Sequence, residues 1–315
     1  MSSLVADVGG TNTRIALARG TAVIPGSIRR YRNVDHSDLT SVLDHYLVAA
    51  GRDSCGMACV AVAGPVQDGV AEFTNIGWRI DIPGIARATG SGTVALLNDL
   101  QAEGHALGHI APSYLREIMP QSGAGSSAVQ LVVGVGTGFN AAMVHHFASG
   151  RHVSPAEAGH VSMPVGNDAD LRLAQFIQAR QGFAVVEDVL SGRGIENIHA
   201  WLGHMENAPS KMCANEIVQA LATPDPRSEA TLRVFVRLLG VSVGNLALTT
   251  LPYGGIYLVG GVSRAIAPYL KDLGFVEAFR DKGRFSGFME SFGVSVIEDE
   301  YAALTGCAGH LADCF

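Results

Sequence analysis

Charge is scarce in this sequence, positive charge above all. Only 16% of the residues are charged, and 22 Lys and Arg stand against 29 Asp and Glu, for a net charge of −7. Such a surface repels nucleic acid and anionic membranes, so neither is expected as a partner, and a phosphate-bearing ligand has to be held by local geometry. Cysteine is sparse too: Cys55, Cys59, Cys213, Cys307 and Cys314 are odd in number and lack zinc-finger spacing, which predicts reduced thiols in a cytoplasmic protein. No basic segment leads into an apolar signal core, and every long apolar run is broken by Gly or a polar residue, so neither a secretory leader nor a membrane span is expected. What is present is a chain of 315 residues, 48% hydrophobic, a globular composition whose length suits two domains better than one.

Near the start, Val5-Ala6-Asp7-Val8-Gly9-Gly10-Thr11-Asn12-Thr13-Arg14-Ile15-Ala16-Leu17 joins a short apolar run, a Gly-Gly-Thr turn and an alternating run. The pattern predicts a β-hairpin. Glycines lack a Cβ, so the turn can take positive φ and a ligand can approach the backbone closely. Successive N–H groups can then converge on an anion, with the Thr11 and Thr13 hydroxyls as further donors. Asp7 fits beside a bound phosphate only with a cation between them, and magnesium is the natural one. The stretch is not a Walker A loop, because it lacks Gly-Lys-Ser/Thr and continues as a strand rather than a helix. On local grounds an ordinary tight hairpin with an exposed Asp reads equally well.

Apolar spacing then predicts a helix over residues 39–50, begun by Ser37-Asp38 and ended by Gly51. Residues 57–63 are almost continuously apolar, the pattern of a strand buried on both faces of an α/β sheet. Residues 70–78 read as a short strand leading into a polar loop that holds Trp78, and Pro83 suits the first turn of a helix running to about residue 88. The next apolar strand, 93–97, stops at Asn98-Asp99. Ligands of open α/β sheets bind beyond the carboxyl ends of the strands, where this pair stands. The alternative is that Asn98 or Asp99 simply caps the helix that follows.

Residues 113–127 are rich in Ser, Gly and Pro and read as surface loop. Beyond them the opening pattern returns in Leu131-Val132-Val133-Gly134-Val135-Gly136-Thr137-Gly138-Phe139-Asn140-Ala141. Two such hairpins suggest paired domains that each offer a phosphate-binding tip across a cleft. His145, His146 and His152 lack partners at metal-ligand spacing and read as surface or cap histidines. In the polar loop Ser154-Pro155-Ala156-Glu157-Ala158-Gly159-His160, small residues leave room for a ligand. Glu157 and His160 there read as metal ligands, as a structural hydrogen-bonded pair, or as acceptors for the hydroxyls of a polyol.

Asn167-Asp168 can cap a helix that ends near Gly182, and Glu187 reads locally as a first-turn helix carboxylate. Residues 227–249 form a long core helix, and the tail with Leu304, Ala308 and Leu311 a short amphipathic one that could return to the first domain. Between them, residues 254–263 read as strand, glycine pair and helix start. Glycines there would let a flat ring such as adenine lie against the backbone, or simply make a tight connection.

Together these stretches resemble the bacterial glucokinases, of the hexokinase and actin-like ATPase superfamily, over almost the whole chain. Residues 7–14 look like the first phosphate motif, Gly136-Thr137-Gly138 the second and residues 254–263 the adenosine motif. Leu97-Asn98-Asp99, Glu157-Ala158-Gly159-His160, Glu187 before Ser191-Gly192, and Asp281-Lys282-Gly283-Arg284-Phe285 match as well. The resemblance implies an α/β fold of two ribonuclease H-like, actin-like ATPase domains flanking a hinged cleft, the smaller from residues 1–107 plus 299–315 and the larger from 108–298. It implies ATP-dependent phosphorylation of glucose at the 6-hydroxyl, with Asp99 as general base and Asn98, Glu157, His160, Glu187 and also Asn75 on the sugar side. ATP would bind through Asp7, Gly9, Gly10, Thr11, Asn12, Arg14, Gly136, Thr137, Gly138, Gly260 and Gly261. Asp7 would meet magnesium through water, and a homodimer is the expected assembly.

The chain departs from the family at Asn140, where the second phosphate motif often has a further glycine. It also lacks the zinc-binding Cys-rich motif of many related sugar kinases and repressors. The competing readings are a kinase of another hexose or of an N-acylated amino sugar, a sugar-sensing repressor, and a non-catalytic actin-like ATP-binding protein. The repressor would be expected to carry a DNA-binding helix-turn-helix before Asp7.

Overall fold

A computed structural model describes residues 2–73, 76–121, 128–148, 150–223 and 225–314. The chain divides into two units, Met1–Pro112 with Val144–Pro155 and Asp299–Phe315, and Ser113–Met143 with Ala156–Glu298. The segment Val144–Pro155 thus groups with the first unit, whereas the sequence reading set it within the second.

In the first unit the strands Ser3–Val8 and Asn12–Arg19 pair antiparallel, with Asp7 opposite Arg14. Ser3–Val8 also pairs parallel with Met57–Val62, which pairs parallel with Thr93–Asn98. Two-residue periodicity sends alternate side chains to opposite faces. Leu4, Ala6 and Val8 pack with Val42, Leu43 and Tyr46 of the helix Leu39–Ala49, whereas Val5 and Cys59 pack with Leu304, Cys307 and Leu311 of the helix Ala302–Cys314. Asp38 caps Leu39–Ala49 by accepting from the Ser41 N–H at 2.8 Å, as its place before the apolar repeat predicts.

On the second face the helices Asp99–Ala106 and Ala302–Cys314 approach closely, because both carry small residues. A Cβ on Gly306 would collide with the Ala102 carbonyl, so any larger residue there forces the helices apart. One expectation is corrected in this unit: Trp78 does not lie in a loop. It opens a second strand, Trp78–Asp81, paired with Val70–Phe73, and is buried with Phe73 and Ile80. Asn75 lies outside the described residues.

The second sheet runs in the order Gly150–Ser154, Phe139–Phe147, Gln130–Val135, Ile256–Val259, Val294–Ile297, Leu115–Met119. Its core packs Leu131, Val133 and Val135 against Leu232, Phe235, Val236, Leu239 and Val243 of the helix Pro226–Thr250. That helix is long and apolar enough to cross a membrane by length and composition, but its apolar window is 61% buried within the protein, as a core helix should be. Leu115–Met119 corrects the loop predicted over residues 113–127: Ile118 and Met119 are buried and the strand pairs antiparallel with Val294–Ile297. The Ser and Gly density that suggested a loop falls on residues 122–127, outside the described ones.

Candidate active site

The first group of predicted residues sits at the tip of the N-terminal hairpin. The Gly9 N–H donates to the Asn12 carbonyl at 3.0 Å and closes the turn. Neither Gly9 nor Gly10 takes a positive φ, so the conformational reason expected for glycine does not apply here. Asn33, buried and distant in sequence, braces the tip: its Nδ2 donates to the Gly9 carbonyl at 2.7 Å and its Oδ1 accepts from the Thr13 hydroxyl at 2.9 Å. The Thr13 hydroxyl is therefore committed to structure and is not a donor for an anion. Thr11 remains exposed at the tip, while its carbonyl accepts from the Asn33 N–H.

Asp7 faces Arg14, whose Nη1 donates to its carboxylate at 3.0 Å. Burial pushes the Asp7 carboxyl above its usual range, and the Arg14 guanidinium offsets part of that rise. The Asp7 side chain keeps 18% of its surface accessible. Among the described residues no group of three or more His, Cys, Asp or Glu gathers as a metal cage. A lone carboxylate nonetheless suits magnesium, which keeps most of its waters and takes its other ligands from substrate phosphates.

At the end of the strand Thr93–Asn98 the capping alternative is realised for one residue of the pair. Asn98 Oδ1 accepts from the Gln101 N–H at 2.7 Å, and Gln101 Oε1 accepts from the Asn98 N–H at 3.1 Å, a complete capping box for the helix Asp99–Ala106. Asn98 keeps its Nδ2 donors for another partner. Asp99 occupies the first helical position, exposed, with Oδ1 accepting from the Leu100 N–H at 2.9 Å. The cap thus sets the Asp99 carboxylate at the helix N-terminus, at the end of a parallel strand.

The second group is drawn together inside the other unit. The Gly136–Gly138 turn closes through the Gly136 N–H to the Gly138 carbonyl at 2.9 Å, and the Gly136 carbonyl accepts from the Gly192 N–H at 2.8 Å. Glu187 Oε2 accepts from the Phe139 N–H at 3.0 Å, and Oε1 accepts from Arg193 Nη2 at 3.3 Å. A Cβ on Gly138 would stand 2.5 Å from Glu187 Oε2, and one on Gly159 would collide with the Phe139 carbonyl. Gly159 is required by close approach to backbone, whereas a side chain at Gly138 would make the Glu187 carboxylate shift. Glu187 is thus no simple helix carboxylate: it lies in the 3-10 turn Val186–Asp188, and Ser191 caps the helix Gly192–Met205 instead.

Glu157 and His160 are both exposed on their loop, with His160 Nε2 and Glu157 Oε2 3.9 Å apart. That separation excludes a direct hydrogen bond and leaves both side chains available to a ligand. Gly260, at φ 100°, precedes the helix Gly261–Ile266, and a Cβ on it would meet the Val135 carbonyl oxygen at 2.5 Å. A Cβ on Gly136 would be 3.9 Å from the Gly261 N atom, so the Gly136–Gly138 turn and the Gly260–Gly261 pair are neighbours. Sequence reasoning missed Asn33 and Arg193. Asn33 carried no motif, and the pairing of Arg193 with Glu187 depends on the turn that separates them.

The glucokinase family model matches residues 4–314. A glucokinase from Caulobacter sp. (strain K31) is 32% identical over 310 residues, 97% of this chain and 93% of the relative. One from Caulobacter vibrioides (strain NA1000 / CB15N) is 34% identical over 312 residues, again 97% of this chain and 93% of the relative. Among solved structures, that of glucokinase from an Antarctic psychrotroph matches with a TM-score of 0.87 and 28% identity, covering 98% of each chain. This likeness bears out the α/β, actin-like ATPase class expected from the motifs. With a family match spanning nearly every residue and relatives above 30% identity over nearly the full chain, the chain belongs to the glucokinase family.

Proposed function

We propose that the chain transfers the γ-phosphoryl group of ATP to the 6-hydroxyl of glucose, with Asp99 as the general base. The observation that carries this reading is the bond from the Phe139 N–H to Glu187 Oε2, which ties a phosphate-type glycine turn to a carboxylate suited to sugar hydroxyls. Asp99 accepts the hydroxyl proton as the sugar oxygen bonds to phosphorus and the bond to ADP breaks. It stands in the first turn of the helix Asp99–Ala106, at the end of the strand Thr93–Asn98. Asn98 Nδ2, Glu157, His160 and Glu187 bind sugar hydroxyls, and Asn75, outside the described residues, is assigned to the same side.

The backbone N–H groups around Gly9–Thr11 and Gly136–Gly138 receive the phosphates, with Asn12 and Arg14 completing the first turn and Gly260 and Gly261 backing the adenosine. Asp7 would hold the water shell of a magnesium ion bound with the nucleotide, and such an ion would supply neutralisation of the phosphate charge. We place the reaction in the cytoplasm, in keeping with the free thiols at Cys55, Cys59, Cys213 and Cys307. The test is ADP release with ATP and magnesium across a panel of hexoses. Glucose should stimulate release most strongly. Folded protein that releases no ADP with any sugar would defeat the reading, and a strong preference for an N-acylated amino sugar would reassign the substrate.

A further inference from the structure

The side chain of Asn140 has no role in the reaction as described, yet it makes three hydrogen bonds. Its Nδ2 donates to the Ala156 carbonyl at 2.6 Å, and its Oδ1 accepts from the Ala158 N–H at 2.9 Å and from the Ala141 N–H at 2.8 Å. Ala156 and Ala158 flank Glu157. The carboxamide therefore grips the backbone on both sides of a residue whose own side chain is 60% exposed and whose backbone lies outside helix and strand, at φ −125° and ψ 55°. Donor and acceptor are both needed, and glycine at this position could supply neither. Asn140 also follows Phe139, whose N–H holds Glu187 and whose carbonyl abuts Gly159.

We propose that Asn140 is a positioning residue that presents Glu157 to the sugar and thereby sets sugar affinity. This rests on the assignment of Glu157 to sugar hydroxyls. With the clamp removed, the loop has to be ordered when sugar binds, and the ordering cost appears in KM. No such cost is expected in the binding of ATP, which is assigned to other residues.

A double-mutant cycle on the full chain tests this. Asn140→Ala is expected to raise the KM for glucose about tenfold, in the range of losing one or two net hydrogen bonds, with a smaller change in kcat and little in the KM for ATP. Asn140→Asp preserves shape but turns an oxygen toward the Ala156 carbonyl. It should behave like Asn140→Ala, whereas a mere packing role would leave it near wild type. In a Glu157→Ala background, itself raised in glucose KM, Asn140→Ala should add nothing. If Glu157→Ala raises the KM and Asn140→Ala does not, or if the two effects simply multiply, the positioning role is overturned while the sugar site stands. If Glu157→Ala leaves the KM unchanged, the sugar assignment of Glu157 falls and the positioning role falls with it. Thermal melting of each variant separates these outcomes from loss of fold.

Discussion

His105 makes the stability of the first unit sensitive to acid. The residue lies on the helix that begins with Asp99 and is only 3% exposed, with Nε2 3.1 Å from His310 Nδ1 and no hydrogen-bond partner for Nδ1. Burial, reinforced by His310 and Arg151, pushes its pKa from 6.5 down to about 3, so it is neutral near pH 7. An unfolded imidazole takes up its proton near pH 6.5, and the folded one does not until about pH 3. The unfolded state therefore binds more protons through that window, and stability falls as pH drops from 6.5 toward 3, by about 1.4 kcal/mol per pH unit. At pH 5 the loss from this one group is about 2 kcal/mol.

His105→Gln removes the titration. Its stability relative to wild type should improve by about 2 kcal/mol between pH 7.5 and pH 5, whatever its offset at neutral pH. His310, His109, His146 and His199 are also held below their ordinary value by burial and remain in the variant, so some acid sensitivity persists. The assay is urea unfolding followed by circular dichroism at the two pH values. A wild-type-minus-variant difference that is the same at both would show that His105 is not held neutral by the fold.

Three other outcomes follow from the same geometry. Gly138→Ala places a methyl group against Glu187 Oε2, the movable end of a side chain, which should cost about 1 kcal/mol or less in chemical denaturation but raise the KM for glucose as Glu187 is displaced. Glu187→Gln keeps an acceptor for the Phe139 N–H but discards the charge facing Arg193. It should raise the glucose KM by more than tenfold with less effect on the KM for ATP, as steady-state kinetics with each substrate varied in turn would reveal. Arg14→Met leaves the Asp7 carboxylate desolvated without its cation. Because a raised carboxyl pKa means lost stability as pH climbs through it, this variant should match wild type most nearly below pH 3.8 and fall behind toward neutrality in pH-dependent melting.

The parts legible in the sequence were those governed by local physics. The first hairpin, the capped helix behind Asp38 and the buried parallel strand Met57–Val62 arise from periodicity and capping that a short window contains. Asn98-Asp99 was also legible as a pair, though only the structure separates the cap from the exposed carboxylate. The strand Leu115–Met119 was not, because its burial depends on pairing with Val294–Ile297 far along the chain. Local spacing left Glu187 as a helix carboxylate for the same reason: its partner is the Phe139 N–H, 48 residues away. Asn140 looked like a departure from a glycine motif, and its use became visible only with the loop it holds.

Phosphoryl transfer by this chain turns on Asp99, and a rapid-quench single turnover tests that role most directly. Glucose 6-phosphate is followed with saturating glucose and MgATP, for wild type and for Asp99→Asn. General-base catalysis predicts that Asp99→Asn slows formation of the 6-phosphate by about 10²–10⁴-fold, while glucose titration shows that the sugar still binds. Formation of the 6-phosphate by Asp99→Asn at the wild-type rate would contradict the assignment of Asp99.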